Sequence, residues 1–156
     1  MGYIIKTGGA GTSANYASSN HVQVSVDLSN ATWNTVASHE VFTITGLVRM
    51  KLWIECTENV AGAGAIQFGV EGATNAFIAS TTGTDLDAND LWYDATPTVV
   101  YDISQYVIMD YVVNGLDVGY EITGAALTDG TLVFHCVWEP LNSTGAVVAG
   151  AGGSLT

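Results

Sequence analysis

Basic residues are almost missing from this chain. Lys6, Arg49 and Lys51 stand alone against fifteen acids, and the formal net charge is −12. A surface of that sign repels nucleic-acid phosphates and anionic membranes, which excludes both as partners over most of it. Proline is nearly absent, with only Pro97 and Pro140, so one of the usual guards of sheet edges is in short supply. Cysteine is limited to Cys56 and Cys136, far apart and without metal-ligand spacing. They are expected as buried, reduced thiols, with a disulfide open only if their strands are neighbours. No apolar run approaches the ~20 residues of a membrane-spanning helix. The opening Met1-Gly2-Tyr3-Ile4-Ile5-Lys6 is broken by Gly8, Gly9 and Gly11 too soon for a secretory signal. Lys6 also occupies the position where a myristoylation motif carries Ser or Thr. The expected place of synthesis is the cytoplasm.

What the chain does have is apolar residues, 48% of it, in short bursts with a period of two. Val22, Val24, Val26 and Leu28 alternate with Gln23, Ser25 and Asp27, the pattern of a half-buried strand. A run from Glu40 to Thr45 follows. Next, Val48, Met50, Leu52, Ile54 and Cys56 share one face of a long strand, and Leu47, Arg49, Lys51, Trp53 and Glu55 the other. Further strands are predicted at Ile66–Val70, Phe77–Ala79, Val99–Ile103 and Tyr106–Val113. Thr84 to Asp90 is the one candidate for a short helical turn. Val118, Tyr120 and Ile122 lead to Asp129-Gly130, a pair favoured in type I′ turns, and Leu132, Phe134, Cys136 and Trp138 return on one face. Eight to ten short strands predict an all-β fold, a β-sandwich of jelly-roll type. At 156 residues the chain suits one domain, with a flexible arm over 1–20, a sandwich over 21–144 and a Gly/Ala-rich tail over 145–156.

Reactive chemistry is hard to find. Gly8-Gly9-Ala10-Gly11-Thr12-Ser13 lacks the lysine of a phosphate-binding loop, and Gly62-Ala63-Gly64-Ala65-Ile66-Gln67 lacks the third glycine of a dinucleotide fingerprint. Asp85, Asp87 and Asn89 resemble the opening of a calcium loop. Asp90 replaces its sharp-turn glycine, however, and Thr96 its bidentate glutamate. A solvated turn is the competing account. His21, His39 and His135 are scattered, the first two expected at the surface near strand starts. His135 and Cys136 are adjacent on a strand and face opposite ways. No nucleophile elbow is present. The expectation is a non-enzymatic protein without cofactor.

The outer face of the long strand is more informative. Arg49, Lys51 and Trp53 form a mildly basic, aromatic stripe on an acidic protein, and Arg and Trp are common interface anchors. Pairing across the sheet with acids such as Glu40 or Glu121 is the alternative. Val133 and Val137, opposite the core face of their strand, suggest a strand covered on both sides, as at an oligomer interface. Trp33, Trp92 and Tyr93, in or near loops, also permit a sugar-binding platform, although Trp92 and Trp138 have the character of core anchors.

The stretch Leu127-Thr128-Asp129-Gly130-Thr131-Leu132-Val133-Phe134-His135-Cys136-Val137-Trp138-Glu139-Pro140-Leu141, with the small-residue segment Gly145 to Gly153, resembles the C-terminal part of small virion proteins of tailed bacteriophages. Phe68 to Ala79, continuing through Asp90-Leu91-Trp92, is similar to the same group. The resemblance covers roughly the second two-thirds of the chain. It implies a structural part of a phage particle, of the capsid decoration (cement) type, assembled in the host cytoplasm and placed on the outer surface of the virion. Its implied partners are the major capsid protein and copies of itself, as a dimer or trimer. A tail or head-fibre component, and a carbohydrate- or receptor-binding module, are the alternatives.

Overall fold

A computed structural model describes residues 20–99 and 110–155. The N-terminal arm, Lys6, the first glycine-rich motif and most of the strand expected at Val99–Ile103 lie outside the described residues. Those described form eleven strands and one short 3-10 turn, Gly83–Asp85, which overlaps the start of the stretch Thr84 to Asp90 where a helical turn is expected.

The strands are β1 (His21–Asp27), β2 (Ser38–Thr45), β3 (Leu47–Gly62), β4 (Ala65–Val70), β5 (Ala73–Thr82), β6 (Asp90–Trp92), β7 (Thr98–Val99), β8 (Asp110–Asn114), β9 (Val118–Thr123), β10 (Leu127–Pro140) and β11 (Ala146–Ala149). They make two antiparallel sheets. One runs β1-β10-β3-β6-β7, with β8 also pairing β3; the other runs β11-β2-β9-β4-β5. Between consecutive strands the chain changes sheet seven times in ten, and the all-β sandwich is the fold.

Period-two alternation places the core. Val24, Val26, Val48, Met50, Leu52, Ile54, Cys56, Leu132, Phe134 and Cys136 point inward from the first sheet. Phe42, Ile44, Ile66, Phe68, Val118, Tyr120 and Ile122 point inward from the second. Across the interior the Phe134 ring lies 5.3 Å from Phe68 and 5.5 Å from Tyr120. Aromatic contacts at such separations add to the burial of their area.

Three expectations are corrected. Asp129-Gly130 is not a hairpin turn: β9 and β10 belong to different sheets, and β10 runs through both residues with register shifts against β3. Gly130 has φ +114, and an added Cβ would meet the Val60 backbone, so glycine marks a bulge at a crowded crossing. The turn actually lies at Gly124 to Ala126, where the chain changes sheets. The second correction concerns the tail. Ala146–Ala149 pairs with Phe42–Thr45, Gly150 and Gly152 donate N–H bonds to the Val41 and Glu40 carbonyls, and Leu155 is buried. Small residues there permit close approach to β2. Third, His39 is buried, with Nε2 3.0 Å from the Thr35 carbonyl oxygen.

Cys56 and Cys136 stand on neighbouring strands, yet Cys56 lies opposite Leu132 and Cys136 opposite Leu52. Both are free and buried. Burial pushes the Cys56 thiol up to about 11, with the nearby carboxylates of Asp90, Asp87 and Glu58 adding to the shift against a backbone hydrogen bond at Glu58. Burial pushes Cys136 up to about 12.

Candidate interaction surface

Because β10 lies between β1 and β3 and pairs one-to-one with β3 from Leu132 to Pro140, residues distant in sequence form a grid on the outer face of the first sheet. One row reads His21, Val137, Lys51, Asp110; the next reads Gln23, His135, Trp53; a third reads Ser25, Val133, Glu55. On the opposite flank, Glu139, Arg49 and Val112 are aligned. The stripe residues Arg49, Lys51 and Trp53 and the separately expected interface residues Val133 and Val137 are brought together on this one face.

The two bases are paired, although with acids other than those expected. Arg49 Nη2 lies 3.3 Å from Glu139 Oε2, and Lys51 Nζ 3.5 Å from Asp110 Oδ1. Glu40 and Glu121 belong to the other sheet. With all four side chains about half exposed, each pair contributes roughly 0–1 kcal/mol. Beside these pairs Val112 and Val137 are 63% and 42% exposed.

The middle of the face is a histidine–tryptophan cluster. His135 Nε2 donates to Glu55 Oε2 at 3.0 Å, and the other ring nitrogen, Nδ1, lies 3.2 Å from His21 Nε2. A carboxylate only accepts, so Nε2 of His135 carries a proton; in neutral His135, Nδ1 then accepts from His21 Nε2–H. The two imidazole planes agree within 8° while their centroids stand 5.5 Å apart, an edge-to-edge meeting along the hydrogen bond. The Trp53 ring lies parallel to His135, within 4° at 4.9 Å. Sequence reading had Trp53 but missed its partners, because no short spacing links residues 21, 55 and 135.

Asp85, Asp87 and Asn89 do not assemble into a cage. The Asp87 N–H bonds to Asp90 Oδ2, the Asn89 N–H reaches the Cys56 carbonyl and Asn89 takes φ +80. These are the contacts of a tight self-satisfied turn. Among the described residues no group of three or more His, Cys, Asp or Glu side chains is placed to hold a metal ion. Of the three aromatic residues expected near loops, Trp33 and Tyr93 are half-buried. Trp92 is fully buried, with Nε1 bonded to Thr81, and the Trp33 ring packs over Gly152. No helix among the described residues is long and apolar enough to cross a membrane.

Comparison with protein-family models, with curated proteins and with solved structures finds no match for this chain.

Proposed function

We propose that this protein is a non-enzymatic structural component of a phage particle, a decoration protein that binds the outside of the assembled shell together with copies of itself. The observation that carries the reading is the outer face of the first sheet. There Trp53, Val133, Val137 and Val112 stand beside Arg49 and Lys51, the only arginine and lysine among the described residues, on a chain of net charge −12. Such a mixed aromatic, aliphatic and arginine-bearing patch has the composition of an interface core, set within a surface that repels nucleic acid. Shell binding then stabilises by mass action, since the ligand adds its binding energy only to the assembled state.

The strand order adds support from topology. β1-β10-β3-β8 facing β2-β9-β4-β5 is, in our reading, a jelly roll, an arrangement found in capsid and lectin domains. That shared use is why fold alone does not decide function, and why the exposed face carries the argument.

Two measurements test the proposal. Quantitative mass spectrometry of purified particles should give a copy number comparable to the major shell protein. A few copies would move the protein to the tail or a fibre, and absence would remove it from the virion. Trp53→Ala should weaken binding to preassembled shells; unchanged binding would rule out this face as the contact.

A further inference from the structure

Among the described residues β1 is the outermost strand of the first sheet and pairs only with β10. Its seven residues run one-to-one against their partners with no register shift. The strand contains no proline, no lysine and no inward-pointing charge: Val22, Val24 and Val26 face the core, while His21, Gln23, Ser25 and Asp27 face out. Among the described residues none of the usual edge protections is present. The other edges differ. β5 is bulged twice against β4, β7 has two residues, β11 four and β8 five.

The hydrogen-bond parity along β1 shows which groups the edge offers. At the two ends of its pairing with β10, Trp138 N–H donates to the Asn20 carbonyl and Leu28 N–H to the Gly130 carbonyl. In an antiparallel ladder the bonded positions alternate. The even residues of β1 therefore bond to β10, and the odd residues turn their N–H and C=O groups toward the open side.

We propose that a second copy of this chain adds there, β1 against β1 in antiparallel sense about a two-fold axis at Val24. Odd residues must face odd residues for their groups to bond, and only the arrangement centred on Val24 lets all seven residues overlap. It sets His21 opposite Asp27 of the second copy, Gln23 opposite Ser25, and Val22 opposite Val26 beneath. Unlike polar groups meet at both outer pairs, and no like charges do. The Asp27 carboxyl is held below its ordinary value by hydrogen bonds from the Ser29 hydroxyl and N–H, so the pair sets an anionic group, and no second acid, beside His21. Val22, only half-buried in one chain, gains cover. The interface is isologous, so it closes at two copies and makes one continuous sheet. The two outer faces bearing Trp53 then lie side by side on the same surface. The inference deepens the self-association in the proposed function and rests on that part of it, not on the shell.

Sedimentation of the purified full chain across a wide concentration range should show a monomer–dimer equilibrium. Ser25→Pro removes an outward N–H and spares the ladder to β10. It should weaken the dimer about tenfold or more, since the symmetric interface loses the bond twice, while the melting transition of the dilute monomer stays near wild type. Amide exchange supplies a readout that needs no variant. In the dimer the odd amides of β1 should be protected, and dilution should free them while the even amides stay slow. A monomer at every concentration, or a dimer indifferent to Ser25→Pro with freely exchanging odd amides, would overturn the proposal. So would odd amides protected in the dilute monomer, which would mean that the chain covers its own edge. None of these outcomes bears on shell copy number, so the two readings fail separately.

Discussion

Trp92 and Thr81 tie the two sheets together from inside: the indole Nε1 on β6 donates to the Thr81 hydroxyl on β5 across 2.9 Å. Both residues are almost wholly buried, so neither group has water to turn to. Thr81→Val keeps the shape and deletes the acceptor, leaving the indole N–H orphaned. The expected cost is about 1–3 kcal/mol, read from the urea midpoint at an unchanged slope.

The buried thiols make stability sensitive to alkali. Their folded values, about 11 for Cys56 and about 12 for Cys136, exceed the ordinary 9.0. Below pH 9 both states hold the protons and the contribution is complete. Above it the unfolded chain ionises first, so stability falls as pH rises toward the folded values. Burial of Tyr120 shifts its hydroxyl in the same direction. Urea midpoints should decline from about pH 9 upward, and less steeply in a Cys56→Ala/Cys136→Ala variant. At neutral pH a thiol reagent should leave the native protein unlabelled and modify both cysteines on unfolding.

Ending the chain after Gly145 distinguishes a tail from a strand. The truncation removes β11 and, with it, the buried side chains Val147 and Leu155. Their burial alone is worth roughly 3–6 kcal/mol, and the β2 edge loses its partner. A large fall in melting temperature is expected; a melting curve matching that of the full chain would show that the strand contributes nothing.

Two glycines with different reasons for being glycine should respond differently to alanine. Gly119 on β9 lies so close to the His39 carbonyl oxygen on β2 that any Cβ would overlap it. Gly119→Ala must force the strands apart, at a cost of about 1–3 kcal/mol or more. Gly72, in the turn between β4 and β5, has φ +78 and open space around it, so Gly72→Ala meets only the left-handed backbone penalty of about 1–2 kcal/mol. Comparing chemical denaturation of the two variants, Gly119→Ala should be the more damaging.

Replacing Arg49 or Lys51 by alanine separates binding from folding. Each breaks a half-exposed ion pair, so stability should change by less than about 1 kcal/mol. If the outer face meets a shell, affinity should drop and lose some of its salt dependence. Equal losses of stability and binding would point to a folding role instead.

Alternation of apolar and polar residues was enough to find the all-β class, the long strands β1, β3 and β10 and their inward faces, because side chains on a strand alternate whatever the strand pairs with. Hence the assignment of Val48 to Cys56 and Leu132 to Cys136 to the core, and of Arg49, Lys51 and Trp53 to the outside, required no partner strand. Register and sheet membership were decided only by tertiary structure. Asp129-Gly130 has the local chemistry of a turn, yet packing between sheets draws β10 straight through it. The small residues of Ala146–Ala149 read as a loose tail because nothing in them demands a strand; the exposed edge of β2 supplies that demand. The cluster of His21, His135, Glu55 and Trp53 was illegible for the same reason. Three strands far apart in sequence must first fall into register before those side chains become neighbours, and local pattern carries no information about long-range pairing.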